Sequence, residues 1–420
     1  MSRPYPEGDD LQKFLTTRKR RGLGWRLVFQ ASTIAAIIAL TTLLYNIIIG
    51  SFGYVALQNK VNPDDLAVNG VALEDLTSKQ LLEILTANVS TGLMRRLERD
   101  QPLAQRSRRN IYQLVQERVV KPEIIKSWSL KESLFARANI QAFMAAHPAA
   151  QLEFRSWLHR DFLLTPQSST PELAGIRTAI LGSLWVILIT LLVALPLGVG
   201  AAIYLEEYAG HVKRPLARRL NGIIQTNINN LAGVPSIIYG MLGLAIFVRA
   251  LEPFTSGALF GAADPTTANG RTIVSAGLTL TLLVLPLIIM NAQEAIRAVP
   301  PSLRQAGMAL GATKWQTIWH HVLPNAIPGI LTGNILAMSR AIGETAPLVV
   351  IGASTFITVD PTGPFSKFTT LPIQIYQWTA RPQDEFRNIA AAAIIVLLAL
   401  LFALNASAVL LRNRYSKRLA

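Results

Sequence analysis

Two charges stand where charges are costly. Arg340 and Glu344 lie four residues apart in "AMSRAIGETAPLVVIG" (337–352), inside a long apolar run. If the run enters a membrane near Pro328, Arg340 is about 18 Å in, near the middle of a ~30 Å hydrocarbon core. A central arginine costs at least ~2.5 kcal/mol on insertion scales. A helix-surface ion pair at this spacing returns only about 0.2–0.5 kcal/mol, and arginine-first is the poorer order. The pair is therefore expected to face a bundle interior or a watery cavity. A guanidinium stays charged and offers two parallel donors, which suits the oxygens of an oxyanion. A buried salt bridge that fixes helix packing is the plainer reading of the same residues. Gly343 and Pro347 add a break, because Pro347 cannot donate to the Gly343 carbonyl and glycine loosens the backbone. They make a gating hinge or a static kink. Asn227, with Asn229 and Asn230, is a weaker polar position that either lines a pathway or bonds across helices.

Other chemistry is missing. The sequence holds no G-x(4)-G-K-[ST], no H-E-x-x-H and no G-x-S-x-G, so nucleotide-hydrolysing, metalloprotease and common serine-hydrolase readings lack support. With no cysteine, disulfides and thiolate metal sites are excluded. The chain is read as a non-enzyme with no catalytic residue and no metal site.

The elements that must position these residues are membrane helices. The 420 residues are 51% hydrophobic and only 15% charged, and the apolar residues fall into runs near twenty long, enough to span a bilayer. Six spans are expected, at about 27–50, 177–204, 223–250, 272–291, 326–351 and 388–411, the third the least uniform because of "QTNINN" and Pro235. The first run exceeds a signal-peptide core and is read as a retained helix. Between spans one and two, residues 51–172 read as a small, mostly helical soluble domain broken at Pro102 and Pro122. Its arginines between Arg95 and Arg109 are a solvated face or a docking surface, and "TPQSSTPEL" (165–173) is a linker. Arg177 and Arg249 sit near span ends and are expected to snorkel.

Lysine and arginine counts orient the chain. The tail 1–26, "HVKRPLARRL", the loop 292–325 and the tail 412–420 hold eighteen, whereas the opposite short loops hold only Arg271, Lys367, Arg381 and Arg387. Both termini are expected in the cytoplasm and 51–172 outside it. The net charge of +15 is thus a topology signal, and no nucleic-acid partner is expected.

The loop between spans four and five is unusual. In "RQAGMALGATKWQTIWHHVLPNAIPGI", Ser302 can cap a short helix that ends near Gly311, and a second helix, about Thr313 to Val322, precedes Pro324. Leu310, Trp315, Ile318 and Trp319 are on offer, either as an interfacial hairpin or as a docking element.

This stretch resembles the EAA loop of ABC importer permeases, E-A-A-x(3)-G-x(9)-I-x-L-P. Gln305, Ala306, Gly307, Gly311, His321, Leu323 and Pro324 occupy its positions, with Gln305, Gly307 and His321 departing from the pattern. With "NLAGVPSIIYGMLGLAIFV" and "SRAIGETAPLVVIGAS", residues 173–411 resemble the PstA-type permeases of bacterial phosphate importers. The resemblance implies an all-α membrane protein of the type I ABC importer permease fold, six transmembrane helices plus the inserted domain 51–172. It implies a bacterial inner-membrane phosphate permease in which the loop 302–324, including Trp315, couples to an ATPase. The implied partners are a homologous second permease, two ATPase copies, an extracytoplasmic phosphate-binding protein and membrane lipid. ATP and Mg would be held by the ATPase, with no cofactor in this chain. Arg340, Glu344 and Asn227 would then line the substrate pathway, Glu344 orienting Arg340, pairing with a partner's cation or accepting from protonated phosphate. Competing readings are an ABC permease for another oxyanion or small solute, an ion-coupled secondary transporter, and a membrane-anchored sensor built on 51–172.

Overall fold

A computed structural model describes the chain except residues 1–7, 69, 101, 104–105, 149, 210–213, 263–269, 354–355 and 420. Arg3 and Lys213, used in orienting the chain, fall outside the described residues. The first element, α1 (Asp9–Ser51), is a single helix of 43 residues, about 65 Å long at ~1.5 Å per residue. The expected span 27–50 is its second half, and the basic tail continues the same helix rather than ending before it. Its apolar flank is bare except toward the far end, where Gly50 approaches Ala391 of the last helix.

In the inserted segment helices outweigh strands, and a three-stranded sheet that the sequence did not suggest joins them. Strand β1 (Phe52–Asn59) follows α1 without a loop, then come α2 (Ser78–Asn88), α3 (Thr91–Asp100), α4 (Arg108–Val115), β2 (Pro122–Ser127), α5 (Leu130–Phe135), α6 (Arg137–Ala146), β3 (Gln151–Ser156) and α7 (Arg160–Leu164). The sheet runs β2-β1-β3 and is antiparallel throughout, with Ala56 opposite Lys126 and Tyr54 opposite Phe154. The strands are only six to eight residues long, and β1 reads as a continuation of the apolar span. Pro122 does not break a helix. It opens β2, after Lys121 at φ 47°, and a strand's first residue tolerates proline. The helices bury their own core of Leu76, Leu81, Leu85, Ile111 and Val115.

Residues 165–173 are not a free linker. Thr165, Gln167 and Ser168 are buried, and the Ile357 N–H donates to Gln167 Oε1 at 3.2 Å. Arg177 does not snorkel. It pairs with Asp360 at 2.6 Å and donates to the Leu164 carbonyl at 2.7 Å, so the domain, span two and the loop after span five share one polar junction.

The bundle comprises α8 (Arg177–Ile203), α9 (Pro215–Leu231), α10 (Ser236–Gly243), the short α11 (Glu252–Thr255), α12 (Ile273–Arg297), α13 (Pro301–Ala309), α14 (Lys314–Thr317), α15 (Leu323–Gly343), α16 (Ala346–Ile351), α17 (Leu371–Thr379) and α18 (Asp384–Leu419). Among the described residues, five helices are long and apolar enough to cross a membrane, or six if one bent pair counts as a span. The central one is α12, whose Leu280, Val284 and Ile288 are sealed against α8, α10 and α15.

Two expected spans are broken. Span three bends by 110° between α9 and α10. Pro235 disfavours helical geometry at Val234, and the Leu231 carbonyl, which Pro235 cannot serve, accepts from Tyr239 Oη at 2.6 Å and from the Val234 N–H at 3.1 Å. Span five stops at Gly343, Glu344 is extended (φ −74°, ψ 124°), and α16 restarts with Pro347 in its first turn. The interruption is at Glu344–Thr345, upstream of Pro347, because proline is tolerated in a first turn but would leave the Gly343 carbonyl without a donor.

Candidate functional site

The two breaks lie side by side. A side-chain carbon on Gly240 of α10 would sit 2.7 Å from Pro347 Cα in α16, so only a glycine permits this approach. Tyr239, next to it, lies within electrostatic reach of Arg340. Arg340 Nε meets Glu344 Oε1 at 3.3 Å, across the end of α15. The pair does not face the interior of this bundle. Ala337, Met338, Ala341 and Ile342 take the buried face of α15. The Arg340 side chain is 42% exposed and Glu344 16%, on the stripe that also carries the exposed Thr332 and Leu336. The chain thus leaves a guanidinium open at the rim of a helix break, with a carboxylate beneath it holding one of its edges.

Gly343 is exposed, and a side-chain carbon there would touch nothing within 4 Å. Its backbone is ordinary helix, so packing does not demand glycine. Asn227 is exposed and returns its amide to the Ile223 carbonyl at 2.8 Å. Another face of α9 carries Asn221, Gln225 and Asn229. They line a cavity of about 600 Å³ with Glu206, Gln293, Glu294 and Arg297. Gln225 and Gln293 bond reciprocally across it, at 2.8 and 3.3 Å.

The expected helix–turn–helix forms, with two corrections. Pro300, not Ser302, is the cap residue of α13. Gly311 closes the turn at φ 83°, a left-handed conformation that glycine adopts without strain. Thr313 and Gln316 then form a capping box that starts the second arm. That arm does not end before Leu323 and Pro324. A π-helical turn over Ile318–Val322 carries it directly into α15, because a wider turn absorbs the missing proline N–H. The second arm and span five are therefore one rod, Lys314–Gly343. Gly307 is buried where the arms cross, and a side-chain carbon there would lie 3.0 Å from Thr317, whereas Gln305 and Ala306 are exposed. Leu310 at the tip is 90% exposed, and Trp315 and Trp319 stack in the open at 5.5 Å between ring centres.

The residues that seat the hairpin escaped the sequence reading. Glu206 and Glu207 sit on a π-helical turn that extends α8. Glu207 is buried and pairs with Arg304 at 2.8 Å. Arg304 also donates to the Val299 and Ile296 carbonyls at 2.7 and 2.8 Å. The Lys314 ammonium donates to the Glu207 carbonyl and lies 5.0 Å from the Tyr208 ring centre. Beside it, Arg297 at the end of α12 pairs with Glu206. One glutamate doublet thus holds span four and both arms of the hairpin. The only local signal was "EEY" at the end of an apolar run, with its partners 91 to 107 positions away.

Several apolar helices, a broken pair bearing an open guanidinium, and an exposed amphipathic hairpin fused to a spanning helix are the architecture of a membrane permease. Within that class, the chain belongs to the binding-protein-dependent transport system inner membrane component family, whose profile matches residues 194–417. A probable ABC transporter permease protein, YqgI of Bacillus subtilis, is 31% identical over 281 residues, 63% of this chain and 85% of that one. The phosphate transport system permease protein PstA 1 of Mycobacterium tuberculosis is 32% identical over 246 residues, 58% of this chain and 72% of that one. The phosphate transport system permease protein PstA of Yersinia pestis is 32% identical over 247 residues, 58% and 75% of the two chains. As a permease of this family, the chain works with a solute-binding protein and an ATPase.

Proposed function

We propose that the chain is one of two membrane subunits of an ATP-driven phosphate importer. Phosphate arrives from an extracytoplasmic binding protein, both termini are cytoplasmic, and two ATPase copies holding ATP and Mg dock on the hairpin 302–324. A homologous permease covers the stripe of α15 that this chain leaves open. The names of the relatives support the substrate. The observation that carries the site is the Arg340 guanidinium, exposed beside the Glu344–Thr345 break and anchored on one edge by Glu344.

In this reading Arg340 meets the oxyanion at the interface of the two permeases. Its remaining N–H groups supply the paired donors that match phosphate oxygens. Glu344 holds the guanidinium in plane and accepts from a protonated phosphate. The cavity beside α9 is the poorer candidate for recognition, because Glu206 and Glu294 oppose one Arg297 there and would repel a dianion. Asn227 belongs to the uncovered face of α9. Gly343 and Pro347 flank the break that opens and closes. Irregular backbone at membrane depth is tolerated where it lines protein or a cavity.

The test is ATP hydrolysis by the reconstituted complex with its binding protein. Phosphate should stimulate it, and sulfate and molybdate should not. Stimulation by another oxyanion alone would move the assignment to that solute. Uptake without any ATPase subunit would favour an ion-coupled transporter.

A further inference from the structure

The inserted domain carries a surface that the transport reading does not use. α5 is a short helix held at its start and its middle. Ser129 and Glu132 form a capping box at its start, and Ser133 is buried, its hydroxyl accepting from the Tyr54 N–H at 2.9 Å. The backbone just before α5 presses on β1, where a side-chain carbon on Gly53 would lie 1.9 Å from the Trp128 carbonyl oxygen. Gly53 is two residues beyond Ser51, the last residue of α1, and α5 packs against the end of α1 as well as β1. The fold therefore holds α5 level with the end of the apolar span.

Away from Ser133, α5 exposes Lys131, Glu132, Leu134 and Phe135, of which the last two form an uncovered apolar pair. Phe135 is 84% exposed and Leu134 55%. No other aromatic side chain among the described residues is as exposed as Phe135. Lys131 and Arg137 flank them and are also exposed. The geometry points to α5 as a membrane-interface anchor, with Leu134 and Phe135 inserted at the headgroup–acyl boundary of the leaflet nearest the domain and Lys131 and Arg137 on anionic headgroups.

Three observations select lipid as the occupant. α5 packs against α1, on whose bare apolar flank Leu43, Leu44 and Ile48 are exposed. The apolar half of α1, at ~1.5 Å per residue, is about 36 Å long, so its end reaches past the hydrocarbon core into the headgroup layer. An apolar face rimmed by lysine and arginine is the composition of an interfacial helix. Such an anchor fixes the domain's tilt over the bundle.

The chain has no cysteine, so single spin labels report cleanly. Phe135→Cys and Leu134→Cys would each be labelled in the full chain, assembled and reconstituted in phosphatidylethanolamine–phosphatidylglycerol vesicles. Ile48→Cys in α1 and Lys79→Cys on the exposed side of α2 serve as lipid and water references. Collision with oxygen should exceed collision with a water-soluble nickel chelate at 134 and 135, as at 48, and the order should reverse at 79. A label at 135 that matches 79 would place α5 in water. A label shielded from both reagents would place it against protein. Either result overturns the anchor.

Discussion

The guanidinium of Arg304 meets the carboxylate of Glu207 at 2.8 Å across 97 positions of sequence, at the junction of the hairpin with span two. Both are largely buried, and Arg304 has two further carbonyl acceptors. Removing one partner of such a pair leaves an unpaired buried charge and costs about 3–5 kcal/mol. Arg304→Ala should therefore loosen the hairpin from α8. Hydrogen exchange over 301–322 should accelerate, while exchange in the α8–α12 core should not. Unchanged protection of the hairpin would show that the pair does not seat it.

The hairpin offers Leu310, Trp315 and Trp319 to solvent. If an ATPase covers them, Trp315→Ala should cost the ~2 kcal/mol or more of an interface anchor and weaken co-purification of the ATPase at least about tenfold. The isolated permease should keep its stability to within ~0.5 kcal/mol, as exposed substitutions do. Full retention of the ATPase would move the contact elsewhere.

Two glycines near the second break make a contrasting pair. Gly240→Ala forces a methyl into Pro347 and should destabilise by about 1–3 kcal/mol, the cost of overpacking, read as a lower melting temperature. Gly343→Ala meets open space and should leave stability unchanged or slightly raised, since alanine favours helix by up to ~1 kcal/mol. If Gly343 is part of the hinge, its alanine variant loses uptake despite normal stability. Normal uptake would leave the break static.

The inserted domain should be sensitive to pH through His159. Burial, with Arg155 nearby, holds its imidazole below the ordinary histidine value. Between that ordinary value, near 6.5, and the lowered one, the unfolded chain binds more protons than the folded chain, so stability falls as pH drops through this window. Glu132 acts lower on the scale. The Ser129 backbone N–H and hydroxyl hold its carboxyl below the ordinary value, so its contribution disappears only in more acidic solution. Hydrogen exchange over 151–164, corrected for intrinsic rates, should show protection falling from neutral pH through about 6, and His159→Gln should flatten that part of the profile. An unaltered profile in the variant would exclude His159 as the cause.

What the sequence disclosed followed the range of the interactions. Spans, Gly311 and the Arg340–Glu344 pair are local, set by hydropathy, backbone conformation and i,i+4 spacing, and all are present. Prolines misled in a consistent way. Pro324 and Pro347 sit in helix starts or after a π-helical turn, where a missing N–H costs little, so the breaks fall at other residues. The sheet of 51–172 rests on pairings such as Tyr54 with Phe154, about a hundred positions apart, which no local period reports. The glutamate doublet was illegible for the same reason. Arg340 was expected to face a bundle interior or a watery cavity, and in this chain it lies exposed beside the break in span five, a placement that i,i+4 spacing alone does not fix.

Arg340 as the oxyanion contact is the central claim, and phosphate uptake by the reconstituted complex tests it most directly. Arg340→Ala should abolish uptake, Arg340→Lys should retain only a small part because the paired donors are lost, and Glu344→Gln should reduce it. All three should assemble with the ATPase as the parent does. Parental uptake by all three variants in intact complexes would contradict the assignment.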